Sequence, residues 1–134
     1  MLKGVLIHLI SHASRMAYQM SNSCIFCKIV SGEAKATIVY RDEQVTAFHD
    51  LNPVASTHIL IVPNKHIESV GTLEAEDEPL MGHIFTVARK LASEAGIANG
   101  GFRMITNTGT DAGQTVFHLH VHLIGGRRMR YPMG

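Results

Sequence analysis

The sequence predicts an α+β domain, an antiparallel sheet of about five strands with one long helix and one short one. Three observations carry this expectation. Short runs rich in β-branched and aromatic residues recur through the chain, one long stretch repeats its apolar residues at helical period, and the connections are mostly of hairpin length. A chain of 134 residues makes one domain with room for a modest core.

Taken in order, residues 1–20 hold no acidic side chain, two basic ones and a short apolar centre. They read as an N-terminal extension, either a weak targeting segment or residues ahead of a working start at Met16 or Met20. The second reading is preferred, with little fixed structure and with His8 and His12 as tail residues. The domain is expected over 21–134. Ser23 is a candidate N-cap for a short helix that places Ile25, Phe26 and Ile29 on one side and ends at Gly32. Thr37–Tyr40 and Val45–Phe48 flank the polar Arg41–Gln44 and predict a hairpin, closed by Asn52-Pro53. Thr57–Val62 is a third strand, nearly all apolar and stopped by Pro63. Glu74–Asp77 brings negative charge to a helix start, and Pro79 is acceptable only in a first turn. Leu80, Ile84, Val87, Leu91 and Ala95 then recur at helical period up to Gly96, a plausible C′ residue, with His83 on the helix face. Phe102–Thr106 is a fourth strand, and Asn107–Gly113 is a loop of glycine and small polar residues leading into the last one.

That last stretch, Gln114–Arg127, holds the chemistry. Side chains two apart on a strand share a face, so Phe117, Leu119, Val121 and Leu123 should line the core while His118, His120 and His122 line the opposite face. Three imidazoles in a row suit either a metal site or nucleophilic and acid–base chemistry at phosphorus with the middle ring attacking. The spacing alone does not separate the two. Gly109 and Gly113 allow consecutive backbone N–H groups to cup an anion, with Gln114 and Thr115 adding donors beside His118.

Composition narrows the partners. Net charge is +1 with neutral histidines and no basic run exceeds Arg127-Arg128, which argues against nucleic acid. No apolar run approaches the ~20 residues of a membrane span. The two cysteines, Cys24 and Cys27, stand in a chain without a convincing export signal, so a reducing, cytoplasmic setting is expected, with a disulfide the least favoured of their options.

His118-x-His120-x-His122 followed by Leu123-Ile124-Gly125-Gly126-Arg127 resembles the signature of the histidine triad (HIT) superfamily, closest to its HINT branch of nucleoside phosphoramidate hydrolases. Cys24–Ile29, Ala47–Pro53, Thr57–His66 and Asn107–Gly109 resemble further family motifs in the family's order, so the match runs from about Ser23 to the end. The resemblance implies a HIT-like fold, a homodimer and a purine nucleotide as partner. It implies P–N hydrolysis of purine nucleoside phosphoramidates, including adenylated lysine or aminoacyl-adenylate, with no cofactor required for catalysis.

By residue, the resemblance implies His120 as nucleophile, His122 on a nonbridging phosphate oxygen, Thr115 delivering a proton to the leaving amine and Asn107 positioning phosphate or ribose. His118 and His58 complete the imidazole set. Asp50 is implied for the ribose diol, although alone it would read as a turn aspartate. Ile25, Phe26, Ile29, Phe48, His49 and Leu51 match the purine pocket, with Gly113 and Gln114 at the phosphate. Related proteins with this CxxC hold a structural zinc, for which Cys24, Cys27, His58 and His118 are the expected ligands. The competing reading has His58 hydrogen-bonded within the imidazole row and both thiols simply buried. His66 is read as a surface or supporting residue. Two positions depart from the family pattern: Thr115 stands where serine is usual, and Tyr131 where an indole is often found. The rivals are a dinucleoside polyphosphate hydrolase of the same fold, against which Gly125-Gly126-Arg127 speaks, and a nucleotide-binding scaffold.

Overall fold

The protein is described by a computed structural model over residues 23–131. Helix α1 (Ile25–Ser31) is followed by β1 (Ile38–Arg41), β2 (Val45–His49) and β3 (Thr57–Pro63). Two single 3₁₀ turns, 70–72 and 75–77, lead into α2 (Glu78–Glu94), then come β4 (Phe102–Ile105) and β5 (Val121–Gly125). The strands form one antiparallel sheet in the order β1-β2-β3-β5-β4, the α+β architecture expected. The extension at 1–20 lies outside the described residues. Among those described, no helix is long and apolar enough to cross a membrane.

Period-two alternation sorts each strand between two cores. On one side Val45, Ala47, Ile59, Ile61, Val121 and Leu123 pack against the apolar stripe of α2, where Ile84, Val87, Ala88, Leu91 and Ala92 are buried. On the other, Phe48, Leu60 and Val62 pack under α1 against Phe26, Cys27 and Ile29. Pro79 falls in the first turn of α2, where no N–H is missed, and Gly96 follows its last turn at φ +76°, the left-handed geometry a C′ residue needs.

Two local expectations are corrected. The N-cap of α1 is Cys24 rather than Ser23: its Sγ accepts from the Cys27 backbone N–H at 3.3 Å, and this turns both thiols inward. The triad strand is shorter than its alternation suggests, because pairing with β3 begins only at Val121. Residues 117–120 approach as a bend held by the Leu119 N–H on the Ile67 carbonyl at 2.6 Å. Leu119 is still buried, but Phe117, ahead of the ladder, is 42% exposed instead of joining the core.

His83 does lie on the face of α2, and it ties that helix to the β1–β2 hairpin. Its Nε2 meets Asp42 Oδ2 at 2.6 Å, while the same carboxylate accepts from the Tyr40 hydroxyl and from the Gln44 and Val45 backbone N–H groups. Burial alone would raise the Asp42 pKa, but these donors together hold it well below the usual carboxylate range.

Candidate active site

The α1 side of the sheet carries a groove of about 400 Å³. Ile25, Phe26, Ile29, Phe48, His49, Asp50, Leu51, Asn107, Gly113, Thr115, His120 and His122 all line it. One end is apolar, made by α1 and Phe48. The other gathers the two imidazoles, the Thr115 hydroxyl and the loop ending at Gly113, whose φ of +85° only glycine adopts without strain. Phe26 sets the join, its edge meeting Phe48 at 5.5 Å and His120 at 5.1 Å between ring centroids. Lys35 also lines the groove. Nothing in its sequence context marks it, because it sits in the irregular loop after α1.

Gln114 is not in that lining. Its side chain is buried, with Oε1 accepting from the Gly109 N–H at 2.8 Å and Nε2 donating to the carbonyls of Glu68 and Val116 at 2.9 and 3.1 Å. Both amide hydrogens are thereby used. The residue braces the loop and does not offer donors to a ligand.

The imidazoles are wired by the backbone, which fixes where each lone pair points. His120 Nδ1 lies 2.8 Å from the His118 carbonyl, an acceptor only, so Nδ1 carries the proton and Nε2 is left with its lone pair. His58 Nδ1 accepts from the Val54 N–H at 3.2 Å, so its proton is on Nε2. That proton faces His122 Nδ1 at 2.9 Å, with Asp50 Oδ2 further off at 3.5 Å. His122 therefore carries its own proton on Nε2, and a ring that donates from Nε2 stands beside one whose Nε2 is unprotonated, with centroids 5.1 Å apart. Asp50 makes the turn contact, its Oδ1 accepting from the Asn52 N–H at 2.8 Å, and it also lines the groove.

Burial, with His120 and His58 alongside, pushes the His122 pKa down to about 4 against the opposing pull of Asp50. In the unfolded chain the group titrates near 6.5, so between those values the unfolded state binds more protons. This contribution to stability is present above about pH 6.5 and is lost as pH falls towards 4, at most on the order of 3 kcal/mol for a shift of this size and less where water in the groove screens the ring. Denaturant midpoints measured across that window should fall with pH, and His122→Asn should reduce the slope while leaving the share of His118, which burial also lowers to about 4. An unchanged slope would remove His122 as its source.

His118 is the most enclosed of the row, fully buried and outside the groove. Its Nε2–H donates to the Pro63 carbonyl at 2.8 Å, which turns the Nδ1 lone pair towards the cysteines: Cys24 Sγ at 3.2 Å and Cys27 Sγ at 3.5 Å. The fourth member of this cluster is His66, whose Nδ1 lies 3.3 Å from Cys27 Sγ. His58 is not part of it. Ladder geometry gives the reason. His58 and Pro63 are five positions apart on β3, roughly 17 Å of strand, and the cysteines sit at the Pro63 end. His58 instead lies one pleat beyond Leu60, the residue opposite His122, and so reaches His122. The loop carrying His66 is pinned by Lys65 on Asp77 at 3.0 Å, by Leu119 on Ile67 and by Gln114 on Glu68.

The donor set fits a tetrahedral metal. All four ligand atoms lie within 4.8 Å of one another. Zn–S and Zn–N bonds of about 2.3 and 2.0 Å would set tetrahedral edges of about 3.4–3.8 Å, close to the S···N separations here. The single lone pair of His118 Nδ1 faces both sulfurs, at 3.2 and 3.5 Å, a convergence that suits a shared cation better than one thiol proton. Burial, reinforced by Cys24, pushes the Cys27 thiol up to about 12, so a cation is what would hold it as a thiolate.

The HIT domain family model matches residues 31–129. A purine nucleoside phosphoramidase of Escherichia coli K12 is 49% identical over 115 residues, 86% of this chain and 93% of that protein. Among solved structures, a HIT family hydrolase from Legionella pneumophila superposes with TM-score 0.82 at 43% identity, covering 84% of this chain and all of that one. A histidine triad protein from Clostridium difficile does so with TM-score 0.79 at 47% identity, covering 81% of this chain and 95% of the other.

Proposed function

Because the chain belongs to the HIT domain family, we propose that its hydrolase chemistry is cleavage of the P–N bond of purine nucleoside phosphoramidates through a nucleotidyl-His120 intermediate. The observation carrying this reading is the His120 ring, held with Nδ1–H on the His118 carbonyl and Nε2 unprotonated at the polar end of the groove. The relative named a purine nucleoside phosphoramidase supports the choice of bond.

The nucleoside lies along the apolar end with its ribose hydroxyls at Asp50, and the α-phosphate rests among Gly113, Thr115 and His122. The His120 Nε2 lone pair forms a bond to phosphorus as the P–N bond breaks. His122 Nε2–H donates to a nonbridging oxygen, where its hydrogen bond strengthens as charge builds. The departing nitrogen keeps the bonding pair and receives a proton relayed from solvent by the Thr115 hydroxyl. Water then attacks phosphorus, the P–Nε2 bond breaks, and the proton water sheds returns to solvent by the same relay. The products are the free amine and the nucleoside monophosphate.

His66 joins Cys24, Cys27 and His118 as the proposed ligands of a structural zinc. With four protein donors there is no open position, so the metal would be a brace for the polypeptide. We also take the working species as a homodimer. The outer edge of β4 is unpaired in the described chain, and Phe85 on α2 is 60% exposed.

The test is an assay of adenosine phosphoramidates against diadenosine polyphosphates, with sedimentation of the same sample. Faster hydrolysis of the phosphoramidate by a species of twice 14.7 kDa is expected. Preference for the polyphosphate would replace the P–N reading, and a sedimenting monomer would remove the dimer.

A further inference from the structure

A second cavity of about 420 Å³ adjoins the groove, and Ile25, Thr115 and Val116 line both. We propose that it receives the amine side of the substrate, and that Glu68 and Phe117 there give preference to leaving groups carrying a positive charge on a hydrocarbon stem. This rests on the phosphoramidase reading above.

Position argues first. In-line displacement sends the leaving group away from the nucleophile, and His120 and His122 line the groove but not this cavity. The two spaces meet along Thr115 and Val116. A phosphorus atom between His120 and the Thr115 hydroxyl would therefore have its nucleoside on the groove side and room for the amine beyond.

The chemistry of the walls argues second. Phe117 is the one apolar member of the triad segment that escapes the core, and its exposed ring lines this cavity. Glu68 supplies the only carboxylate in the lining. Its backbone is fixed by the Gln114 amide on its carbonyl, so its place beside the Thr115 loop is set. Its side chain is exposed and takes part in no ion pair among the described residues, whereas the neighbouring Lys65 is engaged by Asp77. Of the remaining titratable side chains in the lining, Cys24 faces His118, and His66 turns its Nδ1 to Cys27, where burial favours its neutral form over the opposing pull of Glu68. A carboxylate beside an aromatic face suits an ammonium group with an alkyl stem. Such a leaving group resembles a diamine or lysine, with one nitrogen on phosphorus and a second, protonated one several carbons away. The same carboxylate would repel the further phosphates of a dinucleoside polyphosphate.

Two adenosine phosphoramidates decide the matter, one made from a linear diamine and one from a monoamine of equal length ending in a hydroxyl. Wild-type protein should favour the diamine compound by about threefold to fivefold in kcat/KM, the scale of one partly exposed charge pair. That ratio should fall towards one in E68Q, drop below one in E68K and shrink at high salt. Thermal melts would verify that both variants are folded. The same ratio in wild type, E68Q and E68K would overturn the subsite while leaving the phosphoramidase reading in place. Failure of the wild type to hydrolyse either compound would overturn both.

Discussion

His120→Ala is expected to lose about four orders of magnitude in phosphoramidate turnover while binding AMP within about tenfold of wild type, as nucleophile replacements do when no covalent path remains. The large loss follows from how the ring is prepared. The His118 carbonyl at 2.8 Å holds the proton on Nδ1, and the groove receives the lone pair of Nε2. No other side chain in the lining has both an unprotonated nitrogen and such an orienter. His122 is committed to the opposite tautomer by the Val54–His58–His122 chain, so it can donate but cannot replace the nucleophile. Mass spectrometry of acid-quenched wild type during turnover should detect a nucleotidyl adduct on His120, and none in the variant. A His120→Ala protein that still hydrolyses phosphoramidates within tenfold of wild type would end the covalent account. A cellular role surviving in a variant with no turnover and normal AMP binding would favour a scaffold.

The parts of this fold that were legible in the sequence are those where one local rule acts unopposed. Helical period named the buried stripe of α2, alternation named the two faces of β5, and a nearly unbroken apolar run named β3 as a buried strand without dividing its faces. The groove was legible because its residues cluster in a few short motifs. What escaped depends on chain reversals. His66 lies in a loop with no periodicity, and its approach to Cys27 is produced by three long-range contacts, none of them local. The one available signal was distance along β3, which already puts His58 too far from anything packed at Pro63. Phe117 was misplaced because alternation continues in the sequence for four residues beyond the point where strand pairing ceases. Gln114 looked like a ligand donor because an amide beside glycines can serve either a ligand or the loop itself. Its burial shows that it serves the loop.

Purified, untagged protein is expected to carry about one zinc per chain, and the choice between His58 and His66 makes the sharpest test. Cys24→Ser and His66→Gln should each lose the metal, whereas His58→Asn should keep it, because His58 faces His122 and Val54 at the other end of the strand. Stability should follow metal content. A ligand bound only by the folded state and present at a thousandfold its Kd contributes about 4 kcal/mol. In a domain of this size that corresponds to a Tm difference on the order of 10 °C between zinc-loaded and chelated protein. Affinity should rise with pH, since binding must displace thiol protons and Cys27 holds its own up to about 12 without a cation. The consequence reaches the groove through a single residue. His118 places its ring among the thiols and its carbonyl on His120 Nδ1, so the cluster fixes the peptide that sets the tautomer of the proposed nucleophile. NMR of the His120 ring should therefore report the Nδ1–H tautomer in loaded protein and a mixture after chelation. Protein that carries no metal as purified, takes up none and melts at the same temperature with and without zinc would leave two thiols hydrogen-bonded to two imidazoles, and the brace would have to come from those bonds alone.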